Sequence, residues 1–502
     1  LRATLGDDPD TLAAASRYDL IAAWAAEVVQ RHHAQVLTPS DRLDRVLTHP
    51  WLGVPIFLGL MWVVFQITAN ASAPFLDWID GVISGPITRW AAAGLGLVGL
   101  EETWLGALLL EGVIAGVGGV LVFVPVLVSL YLCLAVLEDS GYMARAAFVM
   151  DRFMHRLGLQ GKSFLPLLVG FGCNVPAVYA TRTLDSEADR KITGFLVSFM
   201  SCGARLPVYV TFGAIFFGGS GAFIFAMYLT GIGVALLTSF LLTRFVYRGK
   251  AQPPFVIELP PYRTPNPRVV LRSTWQRTAS FVRNAGTLIL VASLVIWLLM
   301  AIPAGDSGQF NQVAPRDSLF GRTSAALAPA LEPAGFGTWQ SAGSLLSGLV
   351  AKEVVISSMS QIYSGEEAGA EEATPTLAKD LGFIFSSLAE AVLLTGQELL
   401  NIVPRTINLI PGLGMPELEL LGGAEEAEDG RLSDALAAAF TPLSAVAFNV
   451  FVLLYVPCMA AVGAMRHEFG WRWTLAQVVY TLGVAWLGAV LVYQVGSLLG
   501  AA

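Results

Sequence analysis

Residues 161–184 read GKSFLPLLVGFGCNVPAVYATRTL, and the fold turns on how this stretch meets a membrane. Its apolar run, Phe164 to Ala180, is crowded with helix breakers at Pro166, Gly170, Gly172 and Pro176, and it is shorter than the roughly 20 residues that cross ~30 Å of hydrocarbon as a helix. Cations flank it on both sides: Arg145, Arg152, Arg156 and Lys162 before, Arg182, Arg190 and Lys191 after. Positive flanks stay on the cytoplasmic side, so the segment is predicted to leave and return on one face as a re-entrant hairpin. Interrupted backbone at membrane depth is tolerated only where protein or a cavity covers it, which places the hairpin at a path through the membrane.

The rest of the chain agrees with a lipid solvent. Of 502 residues, 55% are hydrophobic and 14% charged, with a mean hydropathy of +0.63, whereas soluble chains carry about 25% charged residues. Long, continuously apolar runs suit helices rather than the alternating strands of a barrel. The expected fold class is therefore all-α, a polytopic helical membrane protein with two gate regions containing broken or re-entrant helices. A net charge of −8 and the lack of a basic face exclude a nucleic-acid partner. Cys133, Cys173, Cys202 and Cys458 all lie in or beside apolar segments and are read as free thiols. The chain opens at Leu1 without Met or a signal-peptide pattern, so a segment upstream is expected.

From Arg17 to Gln30, Leu20, Ile21, Trp24, Val28 and Val29 fall at helical spacing and predict an amphipathic helix outside the membrane. Residues 1–45 are read as the end of a cytoplasmic helical domain and 46–502 as the transport domain. Predicted spans are Trp51–Thr68, Ile192–Phe217, Ala222–Val246, Ala285–Ile302, Ser341–Tyr363, Leu436–Val462 and Trp473–Leu499. Leu105–Leu137 is interrupted by Gly116, Gly118, Gly119 and Pro125 and is read as a broken helix or a re-entrant turn. The first gate region covers about 105–246 and the second about 285–465, with a last span over 473–499. Between the gate regions, 247–284 is Pro- and Arg-rich and is read as a cytoplasmic loop. Phe383–Leu400 is either a span or an interfacial helix, and an acidic loop holds Glu425, Glu426, Glu428 and Asp429.

Candidate ligands follow from chemistry at the breaks. Cys173 and Asn174 sit between helix breakers, where a thiol, an amide oxygen and freed carbonyls suit a borderline divalent metal better than sodium or magnesium. Val456-Pro457-Cys458-Met459 repeats the setting, with Arg466 eight positions on as Arg182 is nine positions beyond Cys173, which suggests an internal repeat. A lone buried Cys is nonetheless more often a small hydrophobe than a ligand. Lys352 and Glu353 interrupt the apolar run 348–356, and charges at membrane depth usually face a cavity. Glu138 and Asp139 close the 105–137 stretch, where capping and metal contact are equally open readings, and Arg205 is read as a structural counter-ion. Gly161-Lys162-Ser163 is no P-loop, because Arg156 stands where that motif needs Gly, and no hydrolase or zinc motif is present.

Five segments taken together resemble the membrane region of the FeoB family of prokaryotic ferrous-iron transporters: LEDSGYMARAAFVMDR (137–152), residues 161–184 above, MSCGARLPVY (200–209), GLVAKEVV (348–355) and YVPCMAAVGA (455–464). The resemblance runs from about Arg42 onward, and Arg17–Val29 is similar to the end of that family's cytoplasmic helical domain. It implies ferrous iron as transported substrate and a multi-pass protein of the prokaryotic cytoplasmic membrane. It implies Cys173, Cys202 and Cys458 as candidates for the iron path; the residue chemistry itself adds Asn174 beside Cys173, and Glu138, Asp139 or Glu353 as carboxylates that attract the cation. It further implies an upstream GTP-binding domain, GTP reaching the protein only through that domain, small cytoplasmic accessory proteins and self-association as partners. Manganese and zinc stay open as cargo, as do two other readings: an ion-coupled carrier of nucleosides or other small organics, and a membrane enzyme or receptor.

Overall fold

A computed structural model describes residues 9–28, 39–49, 51–100, 103–247, 260–305, 310–311, 313–364, 377–407 and 430–500. Every regular element among them is a helix, with one isolated bridge between Pro303 and Ser318. Contacts divide the chain into two units, 1–46 and 47–502. The first contains helix Pro9–Val28, on which Leu20, Ile21, Trp24 and Val28 are exposed. Val29 and Gln30 lie outside the described residues, as does the acidic loop with Glu425, Glu426, Glu428 and Asp429.

In the second unit six stretches are long and apolar enough to cross a membrane: Gly53–Val98, Trp104–Asp139, Gly221–Val246, Pro267–Ala301, Pro442–Phe469 and Trp471–Leu498. Burial sorts them. Protein covers 78% of the most apolar window of Pro442–Phe469, but only 22% of those of Pro267–Ala301 and Trp471–Leu498. An apolar helix covered on all sides belongs at the centre, and one covered on a single side faces lipid. The Trp104–Asp139 stretch is loosened to a π-turn over Leu108–Ile114 and interrupted before Pro125, as its glycines and proline predict. It runs antiparallel to Gly53–Ala69: Ser129 Oγ donates to the Ile67 carbonyl at 3.3 Å, while Phe57 packs in one cluster with Leu137.

Four spans read from sequence are built differently. Pro267–Ala301 begins well before Ala285, inside the presumed loop, because the Asn266 side chain caps the Arg268 N–H and Pro267 takes the first helical position. Ile192–Phe217, Ser341–Tyr363 and Leu436–Val462 are each interrupted rather than continuous. Helix Leu377–Ile407, which contains Phe383–Leu400, is not among the six crossing stretches. It is held beside helix Ala73–Val82 by Trp78 Nε1 donating to the Ile384 carbonyl (3.2 Å), and Arg89 and Trp90 both bond Asp380.

The interruptions define an inner bundle of eight short helices: α1 Phe164–Gly172, α2 Asn174–Ala180, α3 Glu187–Val197, α4 Leu206–Phe217, α5 Trp339–Ser347, α6 Val354–Ser364, α7 Pro442–Leu454 and α8 Met459–Phe469. α1 and α2 form the expected hairpin, since Lys162 Nζ and Asp185 Oδ2 meet at 2.9 Å at its base although a straight helix would hold them far apart. α5 and α6 form a second hairpin, tied at its base by Ser341 Oγ and Tyr363 OH at 3.3 Å. The hairpins enter from opposite ends. The first has its base beside Glu468, at the far end of α8, which Arg182 and Arg190 engage; the second has its base beside Phe440, just before α7, against which the Tyr363 ring packs.

Each half thus runs hairpin, broken helix, long span: α1–α2, α3–α4 and Gly221–Val246, then α5–α6, α7–α8 and Trp471–Leu498. This order corrects the repeat read from sequence. Cys458 stands at the break of α7–α8 and corresponds to Cys202 at the break of α3–α4, while Cys173 at the first hairpin tip corresponds to the 348–353 tip that carries Lys352 and Glu353.

Candidate functional site

Three of the four breaks hold a proline that cannot complete the helical ladder. At the first hairpin tip Pro176 has no N–H to return to the Gly172 carbonyl, and Cys173 is fully extended (φ −152°, ψ 132°) between two helices. Pro207 and Pro457 likewise cannot return a bond to residues 203 and 453, and the chain is extended at Cys202 (φ −74°, ψ 161°), Tyr455 (φ −70°, ψ 176°) and Cys458 (φ −55°, ψ 155°). The second tip spans Gly348–Glu353.

Backbone groups released in a low-dielectric interior need partners, and here the partners stitch the breaks together. The Asn174 amide, oriented with its nitrogen towards carbonyls, donates to Gly170 O (3.0 Å) on its own hairpin and to Val197 O (3.3 Å) at the end of α3. The Met459 N–H donates to Leu349 O at 2.9 Å, joining the α7–α8 break to the second tip. Arg205 is fully buried and caps the α3 break from below, with Nη1 on Met200 O (3.0 Å) and Nη2 on Ser198 O (3.2 Å). Arg205 therefore acts as a carbonyl cap, a role the counter-ion reading did not contain.

The thiols gather where the breaks meet. Cys173 lies within electrostatic reach of Cys458 and Cys202, and Glu353 lies within reach of all three. Cys173, Cys458 and Glu353 are half-buried, while Cys202 is 8% exposed and Asn174 is buried. All four cysteines are free; Cys133 packs instead with the cluster around Phe57 and Met61. Among the described residues no three His, Cys, Asp or Glu side chains form a ready metal-holding group.

The structure does not bring Glu138 and Asp139 to this point. Glu138 Oε2 accepts from Arg277 Nη2 at 2.7 Å and Asp139 Oδ2 accepts from the Asn266 N–H at 2.7 Å, so both fasten the start of Pro267–Ala301 to the end of Trp104–Asp139. Both carboxylates thus have protein partners in this structure.

Two residues of the site had not been singled out. Tyr455 presents its ring to Lys352 Nζ, 2.9 Å from the ring centre; the signal was an aromatic residue two positions before Pro457. Gln477, fully buried on Trp471–Leu498, donates to the α3 carbonyls Gly194 O and Phe195 O (3.3 and 3.2 Å), and its signal was an amide in the first half of an apolar span, well apart from Gln494 near its end.

Away from the tips, the end of α2 and the end of α8 are locked together. Arg182 donates through Nε (2.9 Å) and Nη2 to Glu468 Oε1, Arg190 reaches Oε2 at 3.4 Å, and the Tyr179 ring meets His467 edge-on at 6.2 Å. The Glu468 side chain is only 4% exposed.

The family model described as Gate, nucleoside recognition, matches residues 120–216 and 282–472, which include all four breaks. The model described as ferrous iron transport protein B C terminus matches residues 224–277. Fe(2+) transporter FeoB of Staphylococcus aureus (strain MSSA476) is 38% identical over 463 residues, 91% of this chain and 59% of the relative. Fe(2+) transporter FeoB of Escherichia coli (strain K12) is 36% identical over 499 residues, 98% of this chain and 62% of the relative. A Porphyromonas gingivalis protein named Fe(2+) transport protein A/Fe(2+) transporter FeoB fusion protein is 34% identical over 533 residues, 99% of this chain and 56% of the relative. The chain thus spans about six-tenths of the length of these curated relatives. No solved structure matches it.

Proposed function

The chain belongs to the FeoB family, as its membrane region, and from that premise we propose that it carries ferrous iron across the prokaryotic cytoplasmic membrane through the point where its four helix breaks meet. One observation carries the reading: two hairpins that enter from opposite ends meet two broken helices, and the thiols of Cys173 on the first hairpin and of Cys202 and Cys458 at the helix breaks lie within electrostatic reach of one another. Sulfur donors favour a borderline divalent metal over sodium, potassium or magnesium. Cys173 and Cys458 keep accessible surface and make first contact. Cys202 lies deeper, Asn174 keeps its amide oxygen for the ion, and Glu353 supplies the nearby carboxylate. Glu138 and Asp139 take no part.

A path of this kind works by exchange. The ion sheds water against one or two thiols and freed carbonyls at a time, then moves on when a hairpin shifts and the Arg182–Glu468 contact opens. Coupling to GTP belongs, on this reading, to a domain upstream of this segment, where any GTP hydrolysis would also reside; relatives that extend well beyond the chain support it. The fusion of Fe(2+) transport protein A to a relative supports a small cytoplasmic partner, and self-association remains part of the proposal.

Radiolabelled ferrous uptake into liposomes containing the full-length protein, with and without GTP and with competing manganese, tests cargo and coupling together. Uptake that falls at least about tenfold in Cys173→Ser/Cys458→Ser, the loss expected when soft ligands are withdrawn, supports the reading. Undiminished uptake dismisses the thiols as ligands. Absence of ferrous uptake by the wild type, with uptake of a labelled nucleoside in its place, favours the alternative that the Gate description suggests.

A further inference from the structure

The strongest unexplained group in the molecule is Lys352. It is 1% exposed, lies at the tip of the second hairpin, and its Nζ meets no hydrogen-bond acceptor among the described residues. Its partner is the face of Tyr455, and the Tyr455 hydroxyl in turn leans on the Leu345 carbonyl at 3.4 Å, so the ring is held from behind by the same hairpin. Cys202, Cys458, Glu353 and Arg205 all lie within electrostatic reach of the lysine. An electron-rich ring face beside two sulfurs and a carboxylate is a seat for a cation, and the chain fills it with its own.

We propose that Lys352 is the specificity-determining residue of the path: a tethered cation, seated on Tyr455 beside Cys202 and Cys458, that keeps monovalent cations out. The inference rests on the transport reading above and adds a division of labour to it. An entering sodium or potassium ion meets Lys352 and Arg205 across a low-dielectric interior, where like charges repel far more strongly than in water. Sulfur offers these hard ions little in return. A borderline divalent metal meets twice that repulsion, because the energy scales with the product of the charges, but its bonds to several sulfurs offset it, so it alone is admitted. A path lined only with thiols, carbonyls and a carboxylate would attract every cation; the lysine converts attraction into choice. Tyr455 positions the ammonium, and the Met459–Leu349 bond holds tip and ring in register.

The test uses the protein in liposomes loaded with a sodium-reporting dye, without iron. Wild type and Lys352→Arg are expected to pass little sodium, and Lys352→Met roughly tenfold more or above. Tyr455→Leu, which removes the seat, should leak like Lys352→Met, while Tyr455→Phe, which keeps the ring, should stay tight. Should Lys352→Met elute as aggregate, the two Tyr455 variants decide the matter. Sodium flux unchanged in well-folded Lys352→Met, or equal in Tyr455→Leu and Tyr455→Phe, overturns the proposal. Ferrous uptake is read on parallel vesicles: its absence in the wild type sinks the transport reading, whereas the sodium comparison still decides the role of the lysine.

Discussion

Gln477 Nε2 donates to Ser198 Oγ across 2.5 Å, a bond between residues 279 positions apart that ties the last span to the broken helix of the opposite half. Ser198 is the residue at which α3 stops, so the break is held open by a group from elsewhere in the chain. Gln477→Leu keeps the volume and removes the donors. Leaving buried polar groups unmet costs about 1–3 kcal/mol, and the unfolding midpoint in detergent should fall accordingly. An unchanged midpoint would mean that the break maintains itself.

Arg205 makes a sharper comparison. Arg205→Met strips Met200 O and Ser198 O of their donors, and charge-assisted bonds of this kind contribute about 1.5–3 kcal/mol each. Arg205→Lys keeps the charge but not the fork, and can satisfy one carbonyl where the guanidinium satisfies two. Thermal stability should therefore rank wild type, Lys, Met; equal stability of the two variants would count against the capping role.

Glu468 joins Arg182 and Arg190 where the end of α2 closes against the end of α8. Glu468→Gln weakens that closure without altering any thiol. Vesicles loaded with ferrous iron and lacking nucleotide should lose it several-fold faster than wild-type vesicles. Equal efflux would show that the ion pairs are scaffold and not a gate.

Thiol accessibility offers a map of the route. A maleimide should label the half-buried Cys173 and Cys458 before the more enclosed Cys202, and ferrous iron should slow labelling at Cys173 and Cys458. Cys133, packed in the separate cluster around Phe57, supplies the internal control, since iron should leave its rate unaltered. Mass spectrometry of digested samples reads each site, and equal slowing at Cys133 would remove the site-specific interpretation.

The carboxylates outside the site should be dispensable for transport. Glu138→Gln breaks an exposed pair with Arg277, of a kind worth about 0–1 kcal/mol. Ferrous uptake should stay within about twofold of wild type, and a larger loss would restore Glu138 to the path.

What could be read from the sequence was whatever is written in local backbone chemistry. Gly172 and Pro176 announce the Cys173 kink, and cations on both sides announce a hairpin. The break before Cys202 was invisible because Ile192 to Met200 offers no proline and its ladder is opened by Arg205 and Gln477, partners supplied by tertiary folding. The second hairpin was taken for a span for a similar reason: only Lys352 and Glu353 mark its tip, and the Tyr455 ring that seats Lys352 belongs to a segment a hundred residues on. Matching Cys458 with Cys173 followed from similar local composition, whereas the order of hairpin and broken helix matches it with Cys202. The helical start at Pro267 was written plainly as Asn-Pro, and was obscured by a composition that resembles a loop.

The kink at Cys173 is a single residue wide. Exchange Gly172 and Pro176 for residues content in a helix, and the two arms would fuse into an uninterrupted rod, walling off the interior although every sulfur, amide and carboxylate was still encoded. Permeability in such a protein is decided by positions that never touch the ion, and inheritance of the donor atoms alone does not carry the trait.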